Sequence, residues 1–359
     1  MKFAMQAPPD QTVARPRIKR RPTIEDLAAE ASVSVATVDR VLNKRHPVRE
    51  DTARRVVEAA ERIGFYARGL LQQRLDERIP FRTFAFLLQK RDFFYQRLGA
   101  ELSAATKAAG TIRGRPIVEF IDELVPSMIA DRLLEAGAAA DAIAVVAVEH
   151  PHVNAAIEEL HGRGVPVFTL LTDVTTPARA GFLGMDGRKI GRSAAWTISR
   201  LAKTPGKIGI LVGSHRYLNQ ELAEISFRTY LREHAPEFRP LEPLVNLDDS
   251  RIAYEACVEL IGGNRDLVGI YMAGGGMAGM IKALREEADG RHILAVCNEL
   301  IPETRAALID GVIDLVIQTP VGPLARRTVE AMIDALSGPL DESVRQIQLP
   351  AELYISENV

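Results

Sequence analysis

The run TIEDLAAEASVSVATVDRVLN, residues 23–43, decides how the rest of the chain is read. Thr23 and Asp26 stand at helix-cap spacing, where a hydroxyl and an acid three residues on can satisfy each other's backbone N–H groups. The pattern predicts a short helix from Ile24 to about Glu30 and a tight turn at Ala31-Ser32-Val33. A second helix follows over residues 35–43, capped by Ser34. Leu27, Ala31, Val38, Val41 and Leu42 supply one small shared core. A third helix is expected from Asp51 to Ile63, ended by Gly64 in the left-handed position common after helices. Two short helices across a tight turn, with a third in support, make a helix-turn-helix.

Working outward, residues 1–80 hold 16 Lys and Arg against 11 Asp and Glu, whereas the remainder holds 29 against 36. A basic head on an acidic body points to nucleic acid at the head. Residues 1–22, ending in Lys19, Arg20 and Arg21, read as a disordered basic arm. At ~150 residues per domain, 359 residues suggest two or three domains. With 47% hydrophobic and 26% charged residues, the composition excludes a disordered or fibrous chain. No apolar run approaches the ~18 residues of a membrane span, and the first 22 residues lack the apolar core of an export signal. The two cysteines, Cys257 and Cys297, have no metal-ligand spacing and suit a reduced, cytoplasmic protein.

From Phe81 the pattern changes. Apolar runs at 83–89, 117–121, 142–148, 165–171, 207–213, 267–272, 293–297 and 315–319 alternate with amphipathic stretches. Uninterrupted apolar strands between helices mean parallel sheets covered on both faces, so the body is an α/β unit with about ten strands in two doubly wound sheets.

The segment from Ile24 to Asn43, with V-S-x-x-T-V-x-R-V-x-N inside it, resembles the lac-repressor (LacI/GalR) headpiece, and the likeness continues without gaps through Phe65. The resemblance implies a headpiece over 23–67, a hinge over 68–80 and an effector-binding, dimerising body over 81–356 similar to periplasmic sugar-binding proteins. The body is expected to divide into one subdomain of 81–178 and 320–338 and another of 179–319 and 339–356. It also implies a homodimeric repressor, non-enzymatic, on a near-palindromic operator of a sugar or polyol operon, switched by a small effector. The DNA contacts carried over are Thr23, Ser34, Val35, Ala36, Thr37, Arg40 and Asn43. Arg40 can present two donors to guanine, while Val35 and Ala36 offer apolar contact to a thymine methyl. Ser34 and Thr37 suit phosphate oxygens. Asp39 departs from the family's usual serine and is expected to pair locally with Arg40 or Arg45.

In the hinge, the family's minor-groove leucine aligns with Arg74, so Leu71 or Leu75 is expected to take over the wedge, Leu71 the better placed. The segment is too short to hold a helix alone and is expected to order on DNA.

Ligands of open α/β sheets sit beyond the carboxyl ends of strands. Those positions here are Arg91 to Phe94, with Phe93 and Phe94 resembling an aromatic pair that stacks on a pyranose; then Asp173, Glu221, Gly274, Met277, Asn298, Glu299 and Gln318. Carboxylates and amides beside aromatic rings suit vicinal hydroxyls. Glu221 stands where a sugar-binding relative commonly has Arg, and Gly274 and Met277 where amides are often seen. The pocket is therefore more acidic than a usual pentose site, which argues against a phosphorylated ligand and for a neutral polyol or sugar, or a cationic compound.

One rival remains. Gly274-Gly275-Gly276-Met277-Ala278-Gly279 matches G-x-G-x-x-G after a strand, with Glu299 at the end of the next, the fingerprint of a nicotinamide-cofactor site. It stands late in the chain rather than on a first βαβ turn, and the same glycines suit a tight turn. His150 and His152 flank Pro151 as a thin H-x-H pair, better read as a helix-capping loop than as a metal site. No catalytic constellation, metal or cofactor is expected.

Overall fold

The computed structural model describes residues 20–43, 48–71, 79–89, 92–121, 125–338 and 343–359. The chain divides into two compact units, residues 1–80 and 81–359. Lys19, Arg45, Arg74, Leu75 and Arg91, named above, lie outside the described residues.

The first unit holds α1 (Ile24–Glu30), α2 (Val35–Asn43) and α3 (Glu50–Ile63). Thr23 N donates to Asp26 Oδ2 at 2.8 Å and Asp26 N to Thr23 Oγ1 at 3.3 Å, the reciprocal cap read from the sequence. Leu27, Val38, Val41 and Leu42 bury against Val56, Ala60 and Phe65. Gly64 ends α3 at φ 65°, a left-handed conformation that a side chain would strain. Between α1 and α2, Ser32 also turns left-handed at φ 53°. The guanidinium of Arg55 secures that turn by donating to the carbonyls of Ala31 (2.7 Å) and Ser32 (3.0 Å).

The second unit begins with β1 (Phe81–Gln89), α4 (Phe93–Ala108), β2 (Arg113–Ile121), α5 (Pro126–Gly137), β3 (Ala142–Val145), α6 (Pro151–Gly162), β4 (Val167–Leu170) and β5 (Gly181–Met185). It continues with α7 (Gly187–Leu201), β6 (Lys207–Val212), α8 (Leu218–His234), the short β7 (Arg239–Pro240) and β8 (Leu244–Val245), α9 (Ser250–Gly263) and β9 (Leu267–Met272). Then come α10 (Met277–Glu287), β10 (Leu294–Asn298), α11 (Pro302–Ile309), β11 (Leu315–Gln318), α12 (Val321–Ala335), β12 (Arg345–Leu349) and β13 (Glu352–Tyr354).

These strands form two sheets. One has the order β12-β5-β4-β3-β1-β2, and the other β13-β11-β10-β9-β6-β7 with β8 also on β6. Neighbours run parallel except β13, which is antiparallel to β11. In β1, Phe84, Phe86 and Leu88 bury on one face while Ala85 and Leu87 bury on the other, which is why the strand reads as one apolar run. The second sheet is likewise covered on both faces.

The chain crosses between the lobes after β5, after β11 and after β12, which moves the expected subdomain limits. β5 and β12 belong to the first sheet, so the first lobe comprises 81–185 and 321–349, and the second 187–318 and 352–359. Two glycines hid β5 from a hydropathy reading. At Gly181 a side chain would meet the Arg345 carbonyl at 2.7 Å, so the bare backbone is what lets β12 pair there. β12, with alternating polar residues, is an edge strand whose place only the sheet defines.

Candidate functional site

On the first unit, α2 projects a small exposed face. Val35 is 47% exposed, and Ala36 and Arg40 are exposed beside it. Ser34 Oγ accepts from Thr37 N at 3.2 Å and bonds Thr37 Oγ1 at 2.9 Å, so both hydroxyls sit together at the helix start. Among the described residues, Asp39 pairs with Asn43 rather than with Arg40. Its Oδ1 accepts from Asn43 Nδ2 at 2.7 Å, one turn on, because i,i+4 neighbours meet on a helix. Asn43 thus holds Asp39 in place from the face assigned to DNA. Thr23 remains the cap of α1.

Leu71 is 0% exposed and packs into the core with Phe65. A side chain with no free surface presents nothing to a minor groove, so the wedge expectation for Leu71 does not fit this arrangement. Arg55 and Phe65 hold the headpiece together unannounced by the sequence. Arg55 is an exposed residue of α3 with no local signal, and Phe65 stands just past the helix end.

In the body, side chains converge where the strands of both lobes end. Gln89 closes β1 and is 4% exposed. Its Oε1 accepts from the hydroxyl of Tyr217, just before α8 in the second lobe, at 2.9 Å, and from Tyr95, on the first turn of α4, at 3.4 Å. Burial, Tyr217, and the negative charges of Asp248, Asp92 and Glu299 hold the Tyr95 phenol well above its ordinary range. Burial and Asp248 do the same to Tyr217.

Glu299 adopts φ 66° after β10. Its carboxylate accepts from Thr319 Oγ1 at 2.5 Å and Thr319 N at 3.3 Å. Burial nevertheless pushes its pKa up to about 7, against the Thr319 bonds and the charge of Arg97. Asn298 donates to the Ala273 carbonyl at 2.7 Å, and its buried Oδ1 has no partner among the described residues.

Phe93 is exposed and Phe94 half-buried at the start of α4, with Phe94 edge-on to Tyr95 at 5.1 Å. Asp92 caps the helix by accepting from Tyr95 N at 2.9 Å. Glu221 sits half-exposed on the first turn of α8. Its neighbour Gln220 reaches inward instead, accepting from Gly213 N at 2.7 Å.

Three residues expected in the pocket are engaged elsewhere. Asp173 accepts from Thr169 Oγ1 (2.7 Å), Val174 N (2.9 Å), Arg179 (2.9 Å) and Gln346 Nε2 (3.1 Å), which fills both oxygens. Gln318 is buried, accepting from Leu300 N at 2.5 Å and donating to the Thr319 carbonyl. Met277 packs in the second lobe's core. Conversely, Gln89, Tyr95, Tyr217 and Asp248 were missed. Gln89 and Tyr95 look like strand and helix residues in sequence, and only the meeting of the lobes makes them neighbours of Tyr217.

The glycine loop is a packing device. Gly275 N donates to Asp248 Oδ1 at 2.5 Å, and a side chain on Gly274 would meet that same oxygen at 2.6 Å. A carboxylate occupies the amide that a phosphate oxygen would need, and its charge repels phosphate. At Gly279 a Cβ would lie 1.9 Å from the Ser250 carbonyl, so this glycine lets α10 close on α9. The nicotinamide reading is set aside. His150 caps α6, accepting from His152 N at 3.2 Å.

Residues 23–67 match the model of bacterial regulatory proteins, lacI family, and residues 118–340 that of a periplasmic binding protein domain. The chain belongs to the periplasmic binding protein domain family through its body and carries a lacI-family helix-turn-helix at its head.

Among its lacI-family relatives, an uncharacterized HTH-type transcriptional regulator in the aml 5' region of Streptomyces limosus is 29% identical over 242 residues, covering 64% of this chain and 62% of its own. HTH-type transcriptional regulator MalR of Streptomyces coelicolor is 28% identical over 202 residues, 54% of this chain and 55% of its own. Catabolite control protein A of Priestia megaterium is 46% identical over 56 residues, 14% of this chain and 17% of its own. These matches span less than two thirds of the relatives' length.

The body shares its fold with an ABC transporter solute binding protein from Agrobacterium vitis bound with alpha-D-tagatopyranose, at TM-score 0.70 and 18% identity over 77% of this chain and 95% of that one. A glucose-galactose binding protein from Geobacillus stearothermophilus gives TM-score 0.69 at 17% identity, covering 78% and 99%. Among the described residues, no helix of this lacI-family chain is long and apolar enough to cross a membrane.

Proposed function

We propose that this lacI-family chain is an effector-responsive, sequence-specific DNA-binding regulator, a cytoplasmic homodimeric repressor acting at a near-palindromic operator. The observation that carries the reading is the exposed Val35-Ala36-Arg40 face of a helix whose entry turn is capped by Ser34 and pinned by Arg55. A rigid helix that offers a fork of donors beside apolar groups suits the major groove. Relatives named as transcriptional regulators support it.

The effector we propose is a small sugar or polyol, held between the lobes by Glu299, Asn298, Asp248 and Tyr95 with Phe93 and Phe94. Carboxylate and amide oxygens accept from hydroxyls, and rings cover the C–H face of a sugar. The sugars named with similar folds support that class. Phe93, Phe94, Glu221, Gly274, Asn298 and Glu299 stay in the proposed site, and Asp173, Met277 and Gln318 leave it.

The test is selection of bound sequences from random duplexes by the full chain, followed by fluorescence anisotropy on the selected site with a panel of sugars and polyols. The expected result is a two-fold-related consensus whose affinity shifts with one ligand. Equal binding to selected and random DNA would sink the proposal.

A further inference from the structure

The second lobe reaches into the first through one short segment. Arg216 and Tyr217 follow β6 and lead into α8, which holds Asn219 on its first turn and whose Phe227 and Leu231 belong to the second lobe's core. Yet the Tyr217 ring is 3% exposed and sits in the first lobe's core with Val148 and Val174. Its hydroxyl donates to Gln89 at 2.9 Å. On one side, Glu149 N in the first lobe donates to the Arg216 carbonyl at 2.9 Å. On the other, Asn219 N donates to Thr172 Oγ1 at 3.5 Å. The receiving edge is itself braced, because the Glu149 carboxylate accepts from Thr175 N (2.6 Å), Thr175 Oγ1 (2.9 Å) and Asn154 Nδ2 (2.7 Å).

We infer that Tyr217 is a latch: it holds the second lobe closed on the first, and through the Gln89 amide it ties that closure to Tyr95 on the cleft wall. Separating the lobes must pull an aromatic ring from an apolar pocket and break a buried hydrogen bond, two costs concentrated in one side chain. The Gln89 amide is the weak point. Both tyrosines address its oxygen, while its buried Nε2 has no partner among the described residues. A ligand hydroxyl that engages Tyr95 alters what Gln89 offers Tyr217, and so biases closure. Tyr217 is a positioning residue in this scheme. The link to Tyr95 rests on the effector reading, whereas the latch itself needs neither effector nor DNA.

The experiment is a pulsed electron–electron distance measurement on the full chain, spin-labelled at Lys107→Cys on α4 and Glu287→Cys on α10, two exposed positions in different lobes. Cys257 and Cys297 are buried, with thiols held above their ordinary range by burial, and do not label. Without effector or DNA, the parent chain is expected to give a dominant short distance with a minor longer-distance population. Tyr217→Phe, which keeps the ring, is expected to raise a longer-distance population about fivefold, the worth of one net hydrogen bond. Tyr217→Ala is expected to make that population dominant. Thermal melting of both variants separates lobe opening from unfolding, and Tyr217→Phe decides the matter if Tyr217→Ala does not fold. Unchanged distances in Tyr217→Phe and in folded Tyr217→Ala, or an open parent chain, would overturn the latch while leaving the regulator reading untouched.

Discussion

Arg40 and Asp173 show why a residue's type says less than its partners. Arg40 is exposed on α2, the helix proposed to enter the major groove. Arg40→Ala is expected to cost roughly 1–3 kcal/mol at the selected operator and to relax preference at one position per half-site, read by titrating single-base variants. Asp173 instead serves the first lobe. It and Arg179 are 19% and 12% exposed, and removing one leaves the other buried and uncompensated. Asp173→Ala is expected to lose about 3 kcal/mol or more of body stability in a denaturant titration while the folded fraction keeps its ligand response. A selective loss of response with normal stability would return Asp173 to the pocket.

Glu299 makes the third case. Its carboxyl titrates near 7 in the folded chain against an ordinary value of 4.5, so between those limits the native state holds the extra proton. That contribution to stability is full below the lower value and is lost as pH rises through the upper one. The parent chain's denaturation midpoint should therefore fall more steeply between pH 5 and pH 8 than that of Glu299→Gln. Parallel slopes would show that burial of Glu299 is relieved in solution.

At the scale of elements, two predictions separate packing from binding. Leu71 belongs to the headpiece core, so Leu71→Ala is expected to destabilise that unit by about 2–5 kcal/mol, with its melting transition lowered before any change in DNA bending. Changed bending with an unchanged melt would restore the groove-wedge role. Helices α7 and α8 lie so close that a Cβ on Gly191 would stand 1.9 Å from the Ala223 carbonyl. Gly191→Ala should force the pair apart and cost roughly 1–3 kcal/mol or more, seen as a lower melting temperature of the body with the headpiece unaffected. The caps of α1 and α3 could be read directly, because capping depends on residues three or four apart. The Arg55 clasp on the interhelical turn could not, since it joins residues more than twenty positions apart.

At the scale of the whole molecule, the last residues serve both lobes: β12 edges the first sheet and β13 the second. Deleting residues 345–359 is expected to abolish the cooperative melt of the body, whereas deleting 352–359 should weaken only the second lobe. The sequence by itself determined the helix-turn-helix, its caps and core, the family, and most of the parallel strands, because each depends on local spacing or on a continuous apolar run. It also marked Glu299, Asn298 and the Phe93-Phe94 pair as strand-end groups. Tertiary structure alone decided that β5 and β12 join the first sheet, that Asp173 and Gln318 spend their polar atoms on the scaffold, and that Gln89, Tyr95 and Tyr217 meet. Tyr217 and Gln89 are 128 positions apart, and no local pattern encodes a hydrogen bond between side chains of two different lobes.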